Sequence, residues 1–162
     1  MHLYLIQHAE AKSEAEDPER GLSERGLGDV HRVATYASHH VANIDKILHS
    51  DKKRAVQTAQ HLAEHLYPTH GIEYAQGLSP LDDPAIIANQ LKTMTHDTAV
   101  VGHLPHLSKL ASMLLGNEQL KEVISFRMGC IVCLEKYDEE PTPEALYGRW
   151  AVRWMLVPEI IG

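Results

Sequence analysis

Two histidines and an arginine of this sequence follow apolar runs of the kind that form buried strands. His8 follows the first run, Arg54 follows the second, and His103 follows the fourth. Arg20, in the polar loop after the first run, can join them. Imidazole and guanidinium groups beside the amino termini of helices are suited to holding and transferring a phosphoryl group. The sequence therefore predicts a phosphoryl site.

The spacing of apolar residues predicts the elements that must position these side chains. Short apolar runs indicate strands, and apolar residues three and four positions apart indicate helices with one buried stripe. The predicted strands cover residues 3–7, 44–48, 72–75, 98–101, 129–136 and 150–158, and the predicted helices cover 23–38, 52–66, 84–92 and 104–115.

This alternation predicts an α/β protein. Strands that alternate with helices favour a three-layer α/β/α sandwich around a mostly parallel sheet, and no repeat or low-complexity tract competes with it. We expect residues 1–162 to form a single domain. In such sheets the ligand lies beyond the carboxyl ends of the strands, which is where the candidate residues stand.

Four motifs carry a resemblance to a known family. They are LIQHAEA with His8, ERGLSERG with Arg20, HSDKKRAVQTA with Arg54, and VVGHLP with His103. In this order they resemble the motifs of the histidine phosphatase superfamily, most closely those of its small SixA-type phosphohistidine phosphatases. The resemblance covers residues 1–116 by motif, and the short chain fits the branch that lacks large insertions.

The resemblance implies a phosphoglycerate mutase-like fold and covalent phosphoryl transfer. His8 would attack phosphorus with an unprotonated ring nitrogen, and water would hydrolyse the resulting phosphohistidine. Arg20, Arg54 and His103 would surround the non-bridging oxygens, with Ser50 as an auxiliary hydrogen-bond donor. No metal and no cofactor is implied.

The first motif departs from the family at Gln7, where the family has arginine. Glutamine keeps a hydrogen-bond donor but loses the charge and the planar fork. A charge-assisted hydrogen bond contributes about 1.5 to 3 kcal/mol, so phosphate affinity or rate is expected to fall roughly ten- to a hundredfold. We expect an enzyme that is weakened and not inactive, with Gln7 as a substrate-binding residue.

A second departure concerns the general acid. Larger relatives protonate the leaving group with a carboxylate, and Asp82 and Asp83 are the nearest candidates here by position. Turn and helix-cap roles before Pro84 are the alternative for both residues. A phosphohistidine substrate needs such an acid less, because its imidazole can leave already protonated. This favours phosphohistidine over a sugar phosphate.

The composition excludes several function classes. The chain has 15 Lys and Arg against 22 Asp and Glu, a net charge of −7, which argues against non-specific nucleic-acid binding. No run has the length of a membrane span and the first residues are not a signal segment, so we expect a cytoplasmic protein without membrane contacts. Cys130 and Cys133 lie in a predicted buried strand and are expected to be structural.

The remaining histidines are interpreted as structural. His61 and His65 have the four-residue spacing of a metal pair, but no third ligand is evident and no metal site is expected. Capping or packing explains His106. Trp150 and Trp154 are predicted on one face of the last strand. Five histidines are predicted to be solvated in turns or at strand edges: His39, His40, His49, His70 and His96.

Three functions fit these observations. The first is a phosphohistidine phosphatase acting on a protein, for which an open pocket without a lid is suited. The second is a phosphomonoesterase for a small phosphorylated metabolite. The third is a phosphate-binding module that has lost catalysis through Gln7. We favour the first, because His8, Arg20, Arg54 and His103 are all retained.

Overall fold

The computed structural model describes residues 1–116 and 122–162. These residues confirm the predicted elements, with boundaries that shift by about two residues at most. The strands are β1 (His2–Gln7), β2 (Lys46–His49), β3 (Ile72–Tyr74), β4 (Thr98–Gly102), β5 (Ile131–Lys136) and β6 (Trp150–Leu156). The helices are α1 (Glu24–Ala37), α2 (Lys53–Leu66), α3 (Ala85–Thr93) and α4 (His106–Leu114), and a 3₁₀ turn follows at Pro158–Ile160.

The six strands form one sheet in the order β3-β2-β4-β1-β5-β6. The first four strands of this order run parallel to one another, while β5 is antiparallel to β1 and β6 is antiparallel to β5. The prediction of a mostly parallel sheet is confirmed. The two antiparallel strands follow the last helix in the chain, so they need no crossover and close one side of the sheet.

Helices cover both faces of this sheet. Residues of α1 and α2 pack with Tyr4 and Ile6 of β1 in one apolar cluster, and residues of α3 and α4 pack with Leu3 and Leu5 in the other. Every residue of β4 is buried. Strands covered on both faces must be continuously apolar, which is why the central runs are recognisable in the sequence. The arrangement is the predicted three-layer α/β/α sandwich.

The connections that leave β1 and β4 diverge to opposite faces of the sheet. These two strands are neighbours, yet β1 leads to α1 on one face and β4 leads to α4 on the other. Gln7 pairs with Gly102 at their carboxyl ends, so His8 and His103 emerge side by side. A crevice at such a divergence is where open α/β sheets bind their ligands.

The prediction that Trp150 and Trp154 share one face of β6 is wrong. Trp150 is buried in the cluster with α3 and α4, whereas Trp154 packs against the cluster with α1 and α2. The pairing of β5 with β6 shifts between Cys133 and Leu134, which face Trp154 and Val152. The extra residue of this β-bulge reverses the side-chain alternation, and no local sequence signal revealed it.

Cys130 and Cys133 are free thiols and both are buried, as predicted. Cys133 lies in the middle of β5, opposite Tyr4 of β1. Burial raises the pKa of the Cys133 thiol to about 12, and nearby Asp97 adds to this effect. Both cysteines therefore act as small apolar side chains of the core.

The acidic segment between β5 and β6 lies at the surface. Residues 138–146 form a mostly exposed connection, tightened by one isolated bridge between Thr142 and Ala145. In the described ranges, no helix combines the length and the apolar character required to cross a bilayer.

Helix α1 is held against the loop that leaves β1. The Ser23 hydroxyl caps the helix by accepting the Gly26 amide hydrogen at 3.0 Å, and the Ser23 amide donates to the Glu10 carbonyl at 2.9 Å. A Cβ at Gly26 would lie 2.1 Å from the same Glu10 carbonyl oxygen. The helix can approach this loop so closely only because residue 26 has no side chain.

Gly26→Ala is expected to lower the free energy of unfolding by about 2 to 3 kcal/mol, because backbone must move to relieve the contact. Gly28→Ala is the matched control on the same helix, since its Cβ would meet only the Arg32 side chain at 3.8 Å. That control is expected to stabilise the protein by about 0.5 to 1 kcal/mol. Urea denaturation measures both values, and a Gly26→Ala variant as stable as the control would contradict the contact.

Candidate active site

His8 lies at the centre of the crevice, one residue beyond the end of β1. Its backbone amide donates to the Gly102 carbonyl at 3.0 Å, which anchors it to β4. Its ring Nδ1 lies 2.7 Å from the Ala9 carbonyl oxygen. A carbonyl oxygen only accepts hydrogen bonds, so Nδ1 carries the ring proton of neutral His8. The lone pair is therefore on Nε2.

The surroundings of His8 keep its ring neutral. Burial lowers the pKa of His8, the hydrogen bond to Ala9 opposes this, and the positive charges of Arg54 and Arg20 lower it again, which leaves a pKa of about 4. At neutral pH the imidazole is therefore unprotonated at Nε2. An unprotonated ring nitrogen beside two cations is suited to attack an electrophilic centre that carries negative charge.

His103 borders the site beside His8, and its side chain is 1% exposed. The two ring centroids are 5.0 Å apart. Its Nε2 lies 2.6 Å from the Ser50 hydroxyl, which also accepts the Lys52 amide hydrogen at 3.3 Å. The Ser50 hydroxyl has one hydrogen and a second acceptor position, so it pairs with His103 Nε2 in either tautomer of the ring.

The Nδ1 atom of His103 is buried and has no hydrogen-bond partner among the described residues. Burial lowers the pKa of His103 to about 3, and the charges of His8, Arg54 and Lys52 act in the same direction. A buried polar atom without a partner is costly.

Arg20 and Arg54 supply positive charge to the same place. Arg54 stands in the first turn of α2, where burial and then the charge of Arg20 lower its pKa, while Asp51 raises it. In residues 1–116 and 122–162, neither guanidinium has a carboxylate within ion-pair distance. Two neighbouring guanidinium groups without a counter-ion form a site for a phosphoryl dianion.

The loop that carries Arg20 is held in a strained conformation. Arg20 has a φ of 51°, in the left-handed region that residues with a side chain rarely adopt. Its Nε donates to the Lys12 carbonyl at 3.1 Å, and the Asp17 carboxylate accepts the Gly21 amide hydrogen at 2.9 Å. These contacts over-determine the loop and fix the guanidinium, as expected where strain serves a site.

Helix α2, which carries Arg54, also binds the loop after His8 and the loop that carries Arg20. The sequence did not predict these connections. The buried Thr58 hydroxyl donates to the Arg54 carbonyl at 2.7 Å and accepts the Ala9 amide hydrogen at 3.1 Å. The adjacent Gln57 side chain accepts the Leu22 amide hydrogen at 2.7 Å, next to the Arg20 loop. Both residues stand in the motif that contains Arg54, but a single sequence does not reveal their partners.

Gln7 lies under the site with its side chain buried, at 8% exposure. Its Oε1 has no hydrogen-bond partner among the described residues. The backbone carbonyl of Gln7 accepts the Gly129 amide hydrogen at 3.0 Å, so its main chain is fixed. The position where the family motif has arginine therefore holds a neutral side chain whose amide oxygen lacks a hydrogen-bond donor among the described residues.

Asp82 and Asp83 use their carboxylates within their own loop. Asp82 accepts the Ser79 amide hydrogen at 3.0 Å, and Asp83 accepts the Ala85 amide hydrogen at 2.9 Å at the start of α3. Both contacts have the geometry of the turn and cap roles considered above. Neither carboxylate acts on the pKa of His8, whereas Arg20 and Arg54 both do.

Comparison with known proteins shows which family this chain is similar to. The family described as "Histidine phosphatase superfamily (branch 1)" matches residues 3–79. The phosphohistidine phosphatase SixA of Escherichia coli (strain K12) is 24% identical over 123 residues, which are 73% of this chain and 76% of that protein. The chain is thus similar to the histidine phosphatase superfamily.

Solved structures agree with this similarity at the level of the fold. The structure of the protein histidine phosphatase SixA complexed with tungstate has a TM-score of 0.82 at 21% identity, covering 98% of this chain and 97% of the other. A mycobacterial glucosyl-3-phosphoglycerate phosphatase has a TM-score of 0.68 at 13% identity, with coverages of 93% and 96%. The phosphoglycerate mutase-like fold is confirmed.

The other histidines of the protein are only partly as predicted. The prediction that His49 is solvated is wrong: at the end of β2 it is buried, and its Nδ1 contacts the Ser50 carbonyl at 2.8 Å. His106 is fully buried, which fits a packing role. The Nδ1 of His65 donates to the His61 carbonyl, and the described residues hold no group of three potential metal ligands.

Acidification is expected to destabilise the protein between about pH 6.5 and pH 4. The folded pKa of His8 is about 4 and that of an unfolded histidine about 6.5, so the unfolded chain binds the additional proton in this window. The contribution of neutral His8 to the free energy of unfolding is fully present above pH 6.5 and decreases as the pH falls towards 4.

His8→Asn is expected to reduce the loss of unfolding free energy between pH 7 and pH 5 by about 1 to 2 kcal/mol. Urea denaturation at both pH values measures this difference. His39→Asn, at an exposed position, is the control. An equal pH dependence in wild type and His8→Asn would show that His8 is not held neutral.

Thr58→Val is expected to lower the free energy of unfolding by about 1 to 3 kcal/mol, because the Ala9 amide would stay buried without an acceptor. Thr58→Ser keeps the hydroxyl and is expected to retain both hydrogen bonds. Hydrogen exchange at the Ala9 amide distinguishes the two variants, since only Thr58→Val should accelerate it. Equal protection in both variants would exclude the proposed connection between α2 and the His8 loop.

Proposed function

We propose that this protein is a phosphohistidine phosphatase that acts through a covalent phosphohistidine intermediate on His8. The observation that carries the proposal is the hydrogen bond from His8 Nδ1 to the Ala9 carbonyl, which leaves a lone pair on Nε2. The charges of Arg20 and Arg54 act on the same ring. Similarity to the superfamily supports a phosphatase activity in general.

The first step transfers the phosphoryl group to the enzyme. His8 Nε2 attacks phosphorus, a P–N bond forms, and the P–N bond of the substrate breaks. The electron pair of the broken bond goes to the substrate imidazole, which leaves neutral because its other nitrogen already carries a proton. Arg20 and Arg54 neutralise the non-bridging oxygens, and His103 borders them beside His8.

The second step regenerates the enzyme. Water attacks phosphorus and the P–Nε2 bond breaks, so orthophosphate leaves with the oxygen of water while the proton released by water goes to phosphate or solvent. His8 returns to its neutral form with the proton on Nδ1, held there by Ala9. The residues that provide charge are guanidinium groups, so the proposed mechanism requires neither a metal nor a cofactor.

Phosphohistidine in a protein is the proposed substrate class. An alkoxide leaving group would require a general acid, but the Asp82 and Asp83 carboxylates bind backbone amides of their own loop. An imidazole leaving group has no such requirement. The related E. coli protein is named a phosphohistidine phosphatase, which agrees with this substrate class. Small phosphomonoesters would then be poor substrates.

A second candidate function is a phosphate-binding module without turnover. Gln7 favours it, because its buried Oε1 has no donor among the described residues and the position lacks the arginine of the family. Such a module would bind phosphate and form no covalent intermediate. We rank it below the phosphatase, since His8, Arg20, Arg54 and His103 are all retained.

The proposal includes the extent and location of the enzyme. We infer that residues 1–162 form one histidine phosphatase domain that works in the cytoplasm. Its partner would be a phosphohistidine-containing protein and not a nucleic acid, because the net charge is −7. A membrane partner is not expected either.

The deciding experiment compares wild type, His8→Ala and Gln7→Arg. Turnover is measured with a phosphohistidine protein and with an aryl phosphate, and intact mass is recorded after a rapid quench without acid. Wild type is expected to hydrolyse phosphohistidine and to carry one phosphoryl group transiently, and His8→Ala to lose both properties. Gln7→Arg should raise kcat/KM about ten- to a hundredfold.

The outcomes separate the two candidate functions. If Gln7→Arg is active and the wild type shows no turnover, the result would identify this chain as a binding module. Inactivity of both proteins would refute the phosphatase proposal. A wild type that prefers one small metabolite over the phosphohistidine protein would move the substrate class to phosphomonoesters.

A further inference from the structure

The neutral Gln7 leaves the phosphoryl site with fewer fixed cations than its family motif provides. Arg20 and Arg54 remain, and His8 and His103 are neutral because burial lowers the pKa of each. A phosphoryl group gains negative charge on its outer oxygens during transfer. A further cation without a counter-ion beside the site would offset this charge.

Lys52 is such a cation, and its backbone lies beside the site. It stands directly before α2, two residues from Arg54. Its amide donates to the Ser50 hydroxyl at 3.3 Å, and that hydroxyl lies 2.6 Å from His103 Nε2. Two hydrogen bonds thus join the main chain of Lys52 to an imidazole of the site. The positive charge of Lys52 also lowers the pKa of His103.

The side chain of Lys52 is free to bind an anion, unlike that of its neighbour. Lys53 makes ion pairs with Glu19 at 3.1 Å and Asp17 at 3.6 Å, in the loop that carries Arg20. Lys52 is exposed and takes part in none of the ion pairs found among the described residues. The nearby Asp51 carboxylate accepts the Ser79 hydroxyl at 3.2 Å.

We propose that the Lys52 ammonium binds the phosphoryl group and supplies the positive charge that Gln7 does not provide. This inference rests on the proposed function, since it concerns the same site. The charge stands directly before α2 instead of on β1, and it is exposed where an arginine at position 7 would be buried. The site is therefore completed from its rim, and the contribution of Lys52 depends on ionic strength.

The test uses inorganic phosphate as the probe and measures its affinity by calorimetry at low ionic strength. Lys52→Met is expected to weaken phosphate binding about tenfold, and Lys52→Arg to retain it, because the loss is that of a charge-assisted contact. Lys92→Met is the matched control: it removes the same charge from an exposed lysine at the end of α3. It should change the affinity less than twofold.

A double variant tests whether Lys52 replaces the missing charge. When Gln7→Arg is present, Lys52→Met should cost less than about threefold, since the site then has its third cation. Raising the salt concentration should weaken binding to wild type more than binding to Lys52→Met. The Lys52→Met, Lys52→Arg and Lys92→Met series remains decisive for the charge of Lys52 if the buried Gln7→Arg does not fold.

Two results would overturn the inference. Equal phosphate affinity in Lys52→Met and Lys92→Met would exclude Lys52 from the site. If Lys52→Met lowers phosphate affinity equally with Gln7 and with Arg at position 7, the two charges are independent and Lys52 does not replace the missing one. Absence of turnover in every variant, with the affinity pattern intact, would refute the proposed phosphatase and leave this inference standing.

Discussion

The parallel pairing of β1 with β4 is the constraint on which the rest of the site depends. The register that places Gln7 opposite Gly102 brings two histidines, nearly a hundred residues apart in the chain, into ring contact. The helices that follow these strands leave towards opposite faces, which leaves a crevice between the two strand ends. A slip of one residue in this register would turn every side chain of β1 to the other face.

Helix α2 fixes the positions of the site residues relative to one another. Arg54 comes from its first turn, while Gln57 and Thr58, one turn later, bind the backbone near Arg20 and His8. Both side chains make these contacts from a rigid element, and positions on helices are more precise than positions on loops. The geometry of the site is thus set by hydrogen bonds between backbone and side chain, which carry no charge and are insensitive to salt.

The sequence predicted the layers and the strand ends well, because strands buried on both faces must be apolar throughout. His8, Arg20, Arg54 and His103 could be named for the same reason, since each follows such a strand or lies in a loop leaving one. His49 was misjudged because a strand end looks alike whether or not a helix covers it. The hydrogen-bond partners of Thr58 depend on tertiary packing, and a single chain does not encode a visible signal for them.

The bulge in β6 has a consequence beyond the placement of two tryptophans. Strands β3 and β6 are the two edges of the sheet, and an edge strand offers unpaired backbone groups to any other extended chain. Strand β3 has only three residues, and β6 is broken by the bulge, where the exposed Arg153 forms an ion pair with Glu135. Neither edge is a good template for a further strand, so the fold resists growth into aggregates by strand addition.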